Sequence, residues 1–154
     1  RAYSEKIGLP IADYAIGANF LNEEDLSVDV ERACREVDIA EILGAPVMRH
    51  DVAWGFPGWY KGVRPFSAVL PRIAEGCRRV TKYAEKRGIR TCTENHGFFA
   101  QDADRIVALV TEVGNPNYGA LCDMGNFLCA DDNSAIAVGK VAPFTFPSMQ
   151  KTSS

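Results

Sequence analysis

Short apolar runs alternate with amphipathic stretches of helical length along nearly the whole chain, and this alternation leaves few folds open. Ile11 to Ile16 is a brief apolar run. From Leu26 to Leu43, Val30, Ala33, Val37 and Ala40 recur at spacings of three and four, as one buried helix face requires. Gly44 follows, matching the preference for glycine just past a helix C-terminus. Pro46-Val47-Met48 reads as a strand, and a Gly-, Pro- and aromatic-rich loop runs from Trp54 to Phe66. Ser67 to Arg87 reads as a helix with Leu70, Ile73, Ala74, Cys77, Val80 and Ala84 on one side, stopped by Gly88. Ile89 to Thr93 is a short, β-branched strand. A helix from Asp102 or Ala103 to Val113, a turn at 114–117 and a strand from Tyr118 to Cys122 come next. Asp131-Asp132-Asn133-Ser134 offers N-cap residues for a helix through about Val141, and Thr145-Phe146 begins another apolar segment.

Strands separated by helices pair in parallel, because each connection must cross back over the sheet. An open doubly wound sheet and a (β/α) barrel both fit. The open sheet usually carries a Gly-rich phosphate loop after one strand, and none is present.

Three of the predicted strands end in a burst of polar residues. Val47-Met48 runs into Arg49-His50-Asp51, Cys92-Thr93 into Glu94-Asn95-His96-Gly97, and Leu121-Cys122 into Asp123-Met124-Gly125-Asn126. In a parallel barrel the C-terminal strand ends converge on one mouth, where active sites are built. The expectation is that Glu94, Asp123, His50 and His96 share one cleft. Two carboxylates with imidazoles and an amide suit a divalent ion, which could polarise a carbonyl while a carboxylate moves a proton. Each residue also has a plainer reading. Asp123 could simply cap the turn before Gly125. Arg49 suits a barrel-interior ion pair as well as phosphate. A lone histidine is more often structural, although both histidines fall at strand ends. Trp54, Phe56, Trp59 and Tyr60 could wall a sugar pocket, with packing of their own loop slightly favoured. Glu94 beside a strand is expensive to bury without a partner, which favours a functional role.

Composition narrows the class. With 47% hydrophobic and 24% charged residues the chain can build a core, so disorder is not expected. The formal charge of −3 argues against nucleic acid or an anionic membrane as a partner. No apolar run approaches the ~20 residues that span a bilayer. No signal peptide is visible, but the chain opens with Arg1, so that observation carries no weight. The five cysteines form no CxxC pair and read as free thiols of a reducing cytoplasm.

At these residues the chain resembles a known family. The segments 89–97 (Ile-Arg-Thr-Cys-Thr-Glu-Asn-His-Gly), 121–127 (Leu-Cys-Asp-Met-Gly-Asn-Phe) and 44–51 (Gly-Ala-Pro-Val-Met-Arg-His-Asp) are similar to motifs of sugar-phosphate isomerases and epimerases of the xylose-isomerase-like superfamily. The resemblance runs up to Phe146 and implies a (β/α)8 TIM barrel with a divalent metal (Mn²⁺, Mg²⁺, Co²⁺ or Zn²⁺) at its mouth. It implies that Glu94 is a metal ligand and acid/base carboxylate and Asp123 a second ligand. Asn126 lies where some relatives carry a histidine, and His50, His96, Asn126, Arg49 and Trp54 are the candidate substrate contacts. The implied reaction is aldose–ketose isomerisation or epimerisation beside a carbonyl, through an enediolate, on a sugar or sugar phosphate.

The resemblance also implies departures at both ends. The expected domain is a partial barrel over residues 1–146, roughly strands three to seven. Residues 147–154 read as an aberrant tail where the family has His-x-His-Ala-Lys-Asp. One permitted coding of Phe146–Ser154, with one base inserted, reads Phe-His-Leu-His-Ala-Lys-Asp-Phe-Ile, which suggests a frameshift. A further histidine and a final glutamate of the family's metal site are then absent, so an inactive fragment is expected. The alternatives are a non-catalytic remnant stable only by association, as a homo-oligomer, and a zinc-dependent abasic-site endonuclease relative. Two histidines and net acidity weigh against the last.

Overall fold

The computed structural model describes residues 1–146. Four parallel strands form one sheet in the order β1 (Tyr14–Ile16), β2 (Val47–His50), β3 (Arg90–Glu94) and β4 (Tyr118–Leu121). Helices α2 (Leu26–Leu43), α3 (Phe66–Glu85) and α4 (Ala103–Val113) make the crossovers, after a short α1 (Ala2–Lys6). Beyond β4 come α5 (Met124–Cys129), α6 (Ser134–Val141) and a 3-10 turn at Ala142–Phe144. This is the strand-helix alternation of a partial (β/α) barrel. The tail at 147–154 lies outside the described residues.

Local chemistry sets the element ends. The Asp25 side chain accepts from the Ser27 N–H at the start of α2, and Gly44 ends that helix at φ 75°, which glycine adopts without strain. Asp102 and Asn133 cap α4 and α6 in the same way. The helix over Leu26–Leu43 has the bounds its periodicity predicts. Strands β2 and β3 run past their sequence-based limits, by two residues and one, because Arg49, His50 and Glu94 continue the ladder although they are polar. The segment at Thr145-Phe146 contributes a single parallel bridge, Ala120 to Thr145, and no strand. Helix α5 follows Asp123 directly and has no apolar periodicity to announce it.

Strand alternation sorts the side chains into two layers. Met48, His50, Thr91, Thr93, Tyr118 and Ala120 face the helices, where Phe20, Ile73, Cys77, Ile106 and Leu109 are fully buried. Burial of each large apolar side chain there contributes about 1.5–3 kcal/mol. Val47, Cys92, Leu121 and Phe146 form a second small cluster on the opposite, concave face. Gly119 makes room for it, since a Cβ at that position would meet the Phe146 ring at 2.9 Å. Arg49 and Glu94 share the parity of Val47 and Cys92, so they project from this concave face at the C-terminal rim. No helix among the described residues is long and apolar enough to cross a membrane.

Candidate active site

Glu94 is the last residue of β3, and its carboxylate is held from both sides. Arg49 Nε, from the adjacent strand, donates to Glu94 Oε2 at 2.5 Å, and a second guanidinium nitrogen pairs with the same oxygen. Asn126 Nδ2 donates to Oε1 at 3.4 Å. The Arg49 and Glu94 side chains are 12% and 17% exposed, so the pair is largely shielded but still open to the rim. The guanidinium also donates to the Ile16 carbonyl at 3.3 Å and lies 3.3 Å from Asp51 Oδ1. Arg49 therefore ties together the ends of β1, β2 and β3. This is the ion pair that one of its two sequence-based readings expects.

Asp51 extends the group. His96 Nδ1 lies 3.5 Å from the same Asp51 oxygen, and the His96 ring is about half exposed at the rim. On the other side, Asp123 Oδ1 accepts from the N–H groups of Gly125 and Asn126 and so caps α5. The cap presents the Asn126 side chain to Glu94. Asn95, fully buried, locks this arrangement: its amide donates to the Asp123 carbonyl at 2.8 Å and accepts from the Asp123 N–H at 2.7 Å. Gln101 repeats the motif one turn away, taking the Phe98 N–H and donating to the Asn126 carbonyl, each at 2.6 Å.

Glu94, Asp123, Asn126, Arg49 and His96 thus lie along one rim, together with Asp51. His50 does not join them. The period of two turns its ring to the helix side, where it is fully buried between Phe20 and Tyr118 at 5.8 and 5.9 Å. Its Nδ1 lies 2.9 Å from the Asp51 carbonyl, which can only accept, so Nδ1 carries the proton. Burial lowers the His50 pKa to about 4, and the ring is neutral. In this position His50 cannot touch a ligand at the mouth. Trp54 is two-thirds exposed and borders a cavity of about 390 Å³ beyond the end of β1, with Asn19, Asn22, Arg32, Arg35, Asp29 and Glu36. Phe56, Trp59 and Tyr60 instead stack on each other, with Phe99 against Phe56, and pack the loop. Sequence reasoning missed Asp51 and Asn95 as site residues. Asn95 carried a signal, because a polar residue on the buried parity of a strand end must find partners.

The donor set bears on metal binding. Among the described residues no three His, Cys, Asp or Glu side chains come together as a group able to hold an ion. Glu94 and Asp123 are the two candidate carboxylates, with Glu94 already engaged by Arg49 and Asp123 by its cap. The described residues alone do not fit a complete divalent-metal site. All five cysteines are free, and Cys129 is exposed.

A (β/α) half-barrel with carboxylates at the C-terminal strand ends belongs to the class of TIM-barrel proteins whose sites sit at that rim. The family model for xylose isomerase-like TIM barrels matches residues 1–145, and the chain belongs to that family. No curated protein matches the chain significantly. Solved structures do. D-psicose 3-epimerase from Clostridium cellulolyticum H10, determined with D-tagatose, superposes with a TM-score of 0.75 at 18% identity, over 93% of this chain and 53% of that one. A xylose isomerase-like TIM-barrel protein from Mycobacterium smegmatis in complex with magnesium gives 0.71 at 19% identity, over 94% and 52%. The probable 3-DHS dehydratase of petrobactin synthesis from Bacillus anthracis gives 0.73 at 12% identity, over 91% and 50%. The chain spans about half the length of these proteins. At such identities the likeness concerns the fold, and the fold hosts more than one reaction.

Proposed function

We propose that this chain carries part of the active site of a sugar isomerase or epimerase, with Glu94 as the carboxylate that moves a proton beside the substrate carbonyl. The observation that carries the reading is the placement of Glu94: a rim carboxylate on the concave face, oriented by Arg49 and Asn126 and reachable from the mouth. Such a group can take a proton from a carbon adjacent to a carbonyl and return it on a neighbouring atom or on the other face. Asn126 and His96 would hold sugar hydroxyls, and Trp54 would flank the ring. In this proposal Glu94 and Asp123 are also the two ligands this chain offers a divalent ion such as Mg²⁺ or Mn²⁺. Mg²⁺ demands an octahedral shell and usually keeps several waters, so water, substrate oxygens or groups outside the described residues would complete it. Binding is therefore expected from the isolated chain and turnover is not.

Titration of the 154-residue chain with D-tagatose, followed by amide NMR, tests this. Shifts are expected at Gly97, Gly125 and the Asn126 side chain. A spectrum unchanged at those positions at saturating sugar, in a folded chain, would refute it.

Association is a second reading, supported by both sheet edges. Among the described residues β1 pairs only with β2, and β4 meets only β3 and one bridging residue. Unpaired edges recruit other chains. Sedimentation showing a monomer at all concentrations would exclude it.

A further inference from the structure

We infer that two copies of this chain close into one eight-stranded barrel, β1 of each beside β4 of the other, so that both rims border a single mouth. This rests on the association reading above and says which surfaces meet. The described residues form four parallel strands with two unlike edges, β1 and β4. A parallel (β/α) barrel closes at eight strands, so four from each of two copies suffice. The chain also spans about half the length of the solved structures it resembles. A twofold axis along the barrel makes the two junctions identical and removes both edges.

Each edge is flanked by apolar surface that one chain leaves uncovered. Beside β1, the exposed Val28, Ile39 and Ile42 lie on one face of α2 at helical spacing. Beside β4, Leu128 of α5 and Ile136 of α6 are exposed. Large apolar side chains grouped on a flank mark a contact surface. Thr145 meets the β4 edge in the parallel sense at Ala120. Beyond that bridge an apolar hollow of about 270 Å³ opens against Leu121, Cys122, Met124 and Val138. The three residues of β1 need no more edge than that. Seated there in parallel, β1 of a second copy carries Ile16 on the helix side, the parity of His50 in its own sheet, and faces Val138.

Closure completes the site. All strands of such a barrel run the same way, so the C-terminal rims of the two copies face one mouth. Arg49, Asp51, Glu94 and His96 of each copy then stand across that mouth from their equivalents, and the half ring of one chain becomes whole. Below it, Val47, Cys92, Leu121 and Phe146 from both copies meet in the interior, which barrels fill with layers of side chains. Arg90 stacks 4.7 Å over the Phe146 ring but is exposed at the N-terminal end, so its charge stays in water.

Sedimentation velocity of the 154-residue chain should show a dimer that needs both flanks. One variant carries Ile39→Glu with Ile42→Glu on α2, the other Leu128→Glu with Ile136→Glu on α5 and α6. These side chains face solvent in one chain, so circular dichroism should stay native. The symmetry repeats each change at two junctions, and each variant should dimerise at least about a hundredfold more weakly. If only one variant is affected, like edges meet; the inference is overturned and association stands. A short bis-maleimide then reads the direction. Cys129 is exposed on α5 at the rim, and α2 starts at the rim and ends at the opposite end of the barrel. Cross-linking between copies should join Cys129 to Val28→Cys and not to Ile42→Cys. The reverse pattern means antiparallel closure and overturns the shared mouth. A chain that is monomeric at every concentration defeats both the inference and the association reading.

Discussion

Removing Arg49 from the rim tests whether the site is held as described. Arg49→Met keeps the stem on the concave face and deletes the guanidinium. Glu94 and Asp51, 17% and 14% exposed, then lose their shared positive partner. Breaking a fully buried pair costs about 3–5 kcal/mol because the remaining charge is stranded. The rim admits some water, so about 2–3 kcal/mol is expected here. In a domain of this size that lowers Tm by roughly 5–10 °C. Glu94→Gln, which keeps the shape and loses the charge, should cost less. The double variant should then be less damaged than the sum of the two, with a coupling of about 1.5 kcal/mol or more. Urea unfolding of the four proteins measures it. Coupling below about 0.5 kcal/mol, the level of an exposed surface pair, would refute the claim that Arg49 and Glu94 form one shielded unit.

His50 predicts a pH dependence. Its folded pKa is lowered to about 4 from an ordinary value of 6.5, so between these values the unfolded chain binds a proton that the folded chain excludes. Stability should fall by about 3 kcal/mol as pH drops through that window, and His50→Leu should flatten the slope in urea melts. Asp123→Ala removes the cap of α5 and should cost about 1 kcal/mol in the same assay, with the Asn126 side-chain resonance displaced. With a thiol reagent, exposed Cys129 should react first. Cys77 and Cys92, whose thiols burial pushes up to about 12, should react only on unfolding.

The architecture was legible because each crossover helix repeats its apolar residues at helical spacing and is followed closely by a glycine, Gly44, Gly88 or Gly114. Val30, Ala33, Val37 and Ala40 before Gly44 are sufficient to place α2. The rim was legible for a topological reason, since parallel strands bring all C-terminal ends to one side. What the polar bursts did not settle was which face each residue takes. His50 and Arg49 are neighbours, and only the register decides that Arg49 reaches Glu94 while His50 enters the core. Asp123 shows a different limit. A carboxylate before Gly125 caps a helix and borders a site with the same side chain, so its two readings do not exclude each other. Helix α5 was invisible because a six-residue helix can be held by its cap and by Phe127 alone, without periodicity.

In the proposed function the C-terminal rim is the ligand site and Glu94 its working carboxylate. The affinity of D-tagatose for the native chain and for Glu94→Gln, with melting curves confirming that both are folded, tests it most directly. Loss of a charged hydrogen-bond acceptor should weaken binding about tenfold or more. Unchanged affinity in a folded variant would place the site elsewhere.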